Sequence, residues 1–147
     1  MKEFLSRDAQ DSMALGERIG KLAPSGGVVA FRGDLGAGKT TLAKGVARGL
    51  DIAEEVSSPT FTIVSEYTGG RLLMRHIDAY RLSGDADFSE IGGPEMLGEA
   101  GTLCLVEWSE RLPESFGPET CTVDIRVEPD GVRRIRLSGS WIEEAAG

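Results

Sequence analysis

Apolar positions along the chain switch between helical spacing and short runs or alternations, and each switch is marked by glycine or proline. Leu15, Ile19 and Leu22 fall on one face of a helix over residues 11–22, which Pro24-Ser25-Gly26-Gly27 stops. Residues 26–31 form an apolar run opened by glycine, the mark of a buried strand. Helical spacing returns at Leu42, Val46 and Leu50, giving a helix over residues 40–50. Residues 61–67 and 71–77 flank Thr68-Gly69-Gly70 as a hairpin, and residues 85–97, broken by Gly92-Gly93-Pro94, read as one or two short helices. Residues 102–107 are an apolar strand ending on an acid.

Val123, Ile125 and Val127 alternate with polar residues, Pro129-Asp130-Gly131 turns the chain, and Ile135 and Leu137 resume the alternation. This second hairpin is expected at a sheet edge or on a small layer of its own. The acidic, small-residue tail after Trp141 is expected to fray. With no internal repeat, low-complexity tract or linker, the 147 residues read as one domain.

Between the first apolar strand and the helix that follows it stand Gly33-Asp34-Leu35-Gly36-Ala37-Gly38-Lys39-Thr40. They fit G-x-x-x-x-G-K-S/T, the phosphate-cradling P-loop. The spacing matters because successive backbone N–H groups in a glycine-rich turn form a concave anion site, and Gly36 and Gly38 leave the clearance for phosphates to approach. The amides of Asp34, Leu35, Gly36, Ala37 and Gly38 are therefore candidate phosphate ligands. Lys39 is placed to reach the β- and γ-phosphates, Thr40 to ligate Mg2+, and Thr41 to donate to the α-phosphate. Composition alone would give such a match roughly once per hundred chains like this one, and the strand–loop–helix order lowers that further. The fold expected is a three-layer α/β, P-loop NTPase-like domain with a mixed central β-sheet and a C-terminal β-hairpin.

Composition narrows the role. The formal charge of −8, from 24 acidic and 16 basic residues, argues against a chain that grips a nucleic acid backbone alone, so any nucleic acid role is expected to run through a partner. Cys104 and Cys121 are too far apart for a C-x-x-C pair and the chain has a single histidine, which leaves the cysteines as buried thiols. No window approaches the roughly 18 apolar residues needed to span a bilayer, and the first residues are not signal-like. A cytoplasmic protein with no membrane role is expected.

A P-loop enzyme also needs a metal-organising acid at the end of a neighbouring strand. Glu107, after Leu103-Cys104-Leu105-Val106, stands where that acid belongs. Ser58-Pro59-Thr60 is a segment of the kind that places a hydroxyl on Mg2+ or a γ-phosphate, although taken by itself Pro59 better suits the start of an edge strand. In His76-Ile77-Asp78-Ala79-Tyr80-Arg81, extended backbone puts His76, Asp78 and Tyr80 on one face. Asp78 is the candidate for orienting the attacking water. His76 is read as a structural partner of the tyrosine, without a catalytic role, and Trp108 as packing.

In this order the pieces resemble the TsaE (YjeE) family, the small ATPases of bacterial tRNA threonylcarbamoyladenosine biosynthesis. The resemblance spans nearly the whole chain and is carried by residues 33–41, Ser58-Pro59-Thr60-Phe61, His76-Ile77-Asp78-Ala79-Tyr80-Arg81-Leu82 and Val106-Glu107-Trp108-Ser109-Glu110-Arg111. It implies an ATPase that uses ATP and Mg2+ and acts with the TsaD and TsaB proteins, meeting tRNA only indirectly. It further implies that Lys39 and the loop amides hold phosphates, that Thr40 and Glu107 hold Mg2+, that Asp78 supports hydrolysis, and that Thr60 lies in a switch-like loop. Trp108 matches the family's tryptophan beside the acid.

Two other classes fit the P-loop. A small-molecule kinase needs an arginine-bearing lid, for which Arg71, Arg75 and Arg81 are the candidates. A nucleotide-gated binding module needs no turnover at all. A GTPase is disfavoured because the chain contains no asparagine, so N-K-x-D cannot occur. Arg133 is the candidate on the adenine side.

Overall fold

The computed structural model describes residues 1–33, 38–56 and 63–147. The chain enters as strand β1 (Lys2–Ser6), then forms helix α1 (Ala9–Leu22), strand β2 (Gly27–Gly33) and helix α2 (Lys39–Gly49). The hairpin β3 (Val64–Tyr67) and β4 (Leu73–Asp78) follows, then short helices α3 (Asp85–Glu90) and α4 (Gly93–Met96). Strand β5 (Thr102–Glu107), a 3-10 turn at Ser109–Arg111, the hairpin β6 (Cys121–Val127) and β7 (Arg133–Ser138), and a 3-10 turn at Ile142–Ala146 complete it.

These strands make one sheet in the order β1-β7-β6-β2-β5-β4-β3. Strands β6, β2, β5 and β4 are mutually parallel, while β1, β7 and β3 run antiparallel to their neighbours. The sheet is therefore mixed, as expected. Alternation along β5 sends Leu103 and Leu105 to one core and Val106 to the other. Helices α1 and α2 and the C-terminal turn close the first core; Phe88 of α3, with Leu82 and Leu112, closes the second. Three layers result.

Helix α1 starts where Asp8 caps it by accepting from the Asp11 N–H at 2.8 Å. Its C-terminal carbonyls are met by Arg71, whose Nη2 donates to the carbonyls of Gly20 at 2.6 Å and Ala23 at 2.9 Å. Helices α1 and α2 touch through Gly16 and Gly20 on one and Gly45 and Gly49 on the other. A Cβ on Gly16 would lie 2.4 Å from the Leu42 carbonyl oxygen, and one on Gly45 2.4 Å from that of Met13. Backbone thus packs directly on backbone, which fixes α2 against the molecule.

Three expectations change. The second hairpin lies inside the sheet, because β6 pairs with β2 and β7 takes β1 as its outer neighbour, so β1 is the edge. The N-terminal residues, for which no element was expected, supply that strand. The tail after Trp141 is not frayed. Ile142 and Ala145 are buried, Arg18 Nε donates to the Ala145 carbonyl at 2.7 Å, and the N-terminal ammonium pairs with Glu143 at 3.0 Å. Cys104 and Cys121 are free and buried as expected, and burial pushes both thiols up, away from the reactive thiolate. Among the described residues no helix is long and apolar enough to cross a membrane.

Candidate functional site

The parallel strands β2, β5 and β4 end on the same side of the sheet, at Gly33, Glu107 and Asp78. Of the expected phosphate ligands, Asp34, Leu35, Gly36 and Ala37 lie outside the described residues, as do Ser58, Pro59 and Thr60. Gly38, Lys39, Thr40 and Thr41 are described. Gly38 holds φ 102° and ψ 22°, a left-handed conformation suited to glycine, and is the N-cap of α2. Among the described residues no side-chain cap bond is made at this N-cap, and the first turn of the helix holds no acid. A helix N-terminus with this glycine entry and no acid in its first turn is suited to an anion. Arg133 Nε lies 3.2 Å from where a Cβ on Gly38 would sit, so this arginine stands at the site end of the sheet against the P-loop.

Lys39 is only 8% exposed, and its Nζ lies 5.2 Å from the centroid of the Trp108 ring. This contact joins the start of α2 to the end of β5. Glu107, also 8% exposed, closes β5, and the register sets Asp78 directly opposite it. The Asp78 carboxylate accepts from the Tyr80 N–H at 3.0 Å. Both expected carboxylates therefore stand side by side at the ends of adjacent parallel strands, where the crevice of an open α/β sheet forms.

His76 departs from the sequence reading. Its Nε2 meets Glu107 Oε2, and its Nδ1 is buried with no hydrogen-bond partner among the described residues. The signal lay in register, since His76 and Glu107 are 31 residues apart and meet only because β4 and β5 are parallel neighbours. Trp108 packs on the second core and does more besides. Tyr80 lies 5.0 Å from its ring at a 54° tilt, and the Arg111 guanidinium stands 5.1 Å from the Tyr80 ring and 5.9 Å from the Trp108 ring. Ser109 Oγ donates to the Phe31 carbonyl at 3.0 Å and ties this turn to β2.

The oxygen donors present, a carboxylate at 107 and a hydroxyl at 40, are hard ligands of the kind Mg2+ takes. No group of three or more His, Cys, Asp or Glu able to hold a metal occurs among the described residues. A cleft of about 580 Å³ lined by Pro24, Gly27, Pro94, Leu97, Thr120 and Trp141 lies at the opposite end of the parallel strands. Its one charged lining residue among the described residues is Glu119.

Two of the arginines considered for a kinase lid are held elsewhere. Arg71 caps α1, and Arg75 pairs with Glu66 at 2.6 Å and Glu99 at 2.7 Å.

Residues 6–135 match the family model described as threonylcarbamoyl adenosine biosynthesis protein TsaE. A Treponema pallidum protein named tRNA threonylcarbamoyladenosine biosynthesis protein TsaE is 43% identical over 134 residues, covering 91% of this chain and 98% of its own. The Bacillus subtilis protein of the same name is 38% identical over 129 residues, covering 88% and 80%. The crystal structure of Bacillus subtilis YdiB is similar with a TM-score of 0.77 at 33% identity, over 94% of this chain and 84% of that one.

Proposed function

The chain belongs to the TsaE family and has its role in tRNA threonylcarbamoyladenosine biosynthesis, and from that premise we propose that it is a Mg2+-dependent ATPase serving the TsaB–TsaD complex. The observation that carries the reading is the contact of Lys39, at the start of α2, with Trp108, the residue that follows Glu107 at the end of β5. Asp78 stands opposite Glu107 on the adjacent strand, which supports a role for both carboxylates beside Lys39. Lys39 and the α2 amides hold the phosphates, and the helix N-terminus favours their charge. Thr40 and Glu107 hold Mg2+, which when bound neutralises charge on the phosphate oxygens. Asp78 orients the attacking water, its Oδ1 held toward the backbone by the Tyr80 N–H. Thr60 completes the γ-phosphate side as a switch residue. The absence of asparagine favours adenine over guanine, so ATP is expected to compete better than GTP.

With a net charge of −8, the protein suits docking on a basic face of a partner, so tRNA is met through the complex. The engagement of Arg71 and Arg75 weakens the kinase alternative.

Steady-state ATP hydrolysis, alone and with TsaB–TsaD, tests the reading. Stimulation by the complex is expected, with nucleotide binding lost in Lys39→Ala. Asp78→Ala and Glu107→Ala are expected to bind nucleotide yet hydrolyse it about 100-fold or more slowly. Undiminished turnover in either acid variant removes that residue from the mechanism. No turnover under any condition, with ATP still altering affinity for the complex, would mean a nucleotide-gated binding module.

A further inference from the structure

We propose that His76 is a positioning residue that sets the orientation of the Glu107 carboxylate toward Mg2+, an inference that rests on the reading of Glu107 as a metal ligand. His76 lies within β4, between β5 and the edge strand β3, and is fully buried. Its Nε2 hydrogen-bonds Glu107 Oε2, while Nδ1 has no partner among the described residues. A second proton on Nδ1 would be a buried donor without an acceptor, so the tautomer with its proton on Nε2 is the one this pocket fits. A histidine kept for packing alone is a poor choice here, since leucine or methionine would fill the space without an orphaned polar atom. What the imidazole adds over an apolar side chain is the single bond to Glu107.

Among the described residues that bond is the one hydrogen bond made by the Glu107 carboxylate. The backbone is fixed, because the Glu107 carbonyl accepts from the Ala79 N–H at 3.1 Å and Ser109 ties the following turn to β2. The side chain still has its own torsions, and a glutamate that rotates away presents no oxygen to a cation. With Oε2 engaged by the ring, the carboxylate plane is set, and a carboxylate has lone pairs enough for both the imidazole and a cation. Partners of this kind, standing behind a metal ligand, typically contribute about 10–100-fold in metal affinity.

The test measures Mg2+ dependence of nucleotide binding, using a non-hydrolysable ATP analogue, for the unaltered protein, His76→Leu and His76→Gln. The glutamine amide retains a donor at the reach of Nε2. His76→Leu is expected to need about tenfold or more extra Mg2+ for the same gain in affinity, and His76→Gln to recover most of it. Binding of the analogue in EDTA is expected to be equal in all three, which a general structural defect would not allow. Equal Mg2+ dependence in all three overturns the role of His76. Absence of any Mg2+ effect in the unaltered protein overturns the reading of Glu107 itself.

A second measurement needs no variant. The chain has one histidine, so the 15N spectrum of the imidazole reports His76 alone. Protonated Nε2, bare Nδ1 and a shift when Mg2+ joins the analogue complex are expected. A ring that does not respond to Mg2+ overturns the proposal even where His76→Leu fails to fold.

Discussion

Trp108 holds φ 59° and ψ 37°, a left-handed backbone region that costs a residue other than glycine roughly 1–2 kcal/mol. The contacts around its ring offset that cost: the Tyr80 ring on one side, Arg111 near both rings, and Lys39 Nζ at 5.2 Å. Tyr80 is 52% exposed, so a chain of contacts runs from the P-loop lysine to the surface. When phosphates draw Lys39, the ring loses a cation, and its emission is expected to change. Replacing Trp141 with phenylalanine leaves Trp108 as the single tryptophan, and titrating an ATP analogue into that variant reads the change directly. Emission that stays constant through saturation would show that Lys39 does not leave the ring.

The pairing of α1 with α2 reverses the usual rule for glycine in helices. On an exposed helix, alanine in place of glycine stabilises by about 1 kcal/mol. At Gly16 or Gly45 the added methyl meets a carbonyl oxygen at 2.4 Å, so the helices must separate. Gly16→Ala and Gly45→Ala are each expected to lower stability by about 1–3 kcal/mol, read from urea midpoints. An unchanged or raised midpoint would mean that the two helices do not pack this closely. The same separation would move the start of α2, so weaker nucleotide binding is expected to accompany the loss of stability.

Across the whole molecule, the two chain ends are tied to the sheet by charge. Arg136, then Arg134, hold Glu3 on β1 below the usual carboxylate range, and the N-terminal ammonium does the same for Glu143 in the C-terminal turn. A carboxylate whose folded pKa is depressed contributes stability that is present above its unfolded value and is lost as pH falls through the folded one. Acid is therefore expected to loosen β1 and the residues around Glu143 before the central strands. Hydrogen exchange compared at neutral pH and at about pH 3, below the unperturbed glutamate value, checks this. β1 amides should lose protection while those of β5 keep theirs, and parallel loss in both would remove the charge clasp as the cause. β1 and the C-terminal turn were illegible in the sequence for a related reason. Five residues and a short acidic tail have little preference of their own, and their order comes from β7 and α1, reached across most of the chain.

What the sequence determined by itself was local. Apolar periodicity marked α1, β2, α2 and β5 to within a few residues, because each buries one continuous face or run. The P-loop spacing and the three accompanying motifs pointed to the family, because phosphate binding relies on residues adjacent in the chain. Tertiary structure decided what depends on register between distant segments. Parallel pairing of β4 with β5 set Asp78 opposite Glu107 and brought His76, read as structural, onto the Glu107 carboxylate. It also put Lys39 against Trp108 and placed the second hairpin within the sheet. These contacts follow from strand order, which is chosen by the burial of two cores at once and is written in no single stretch of the chain.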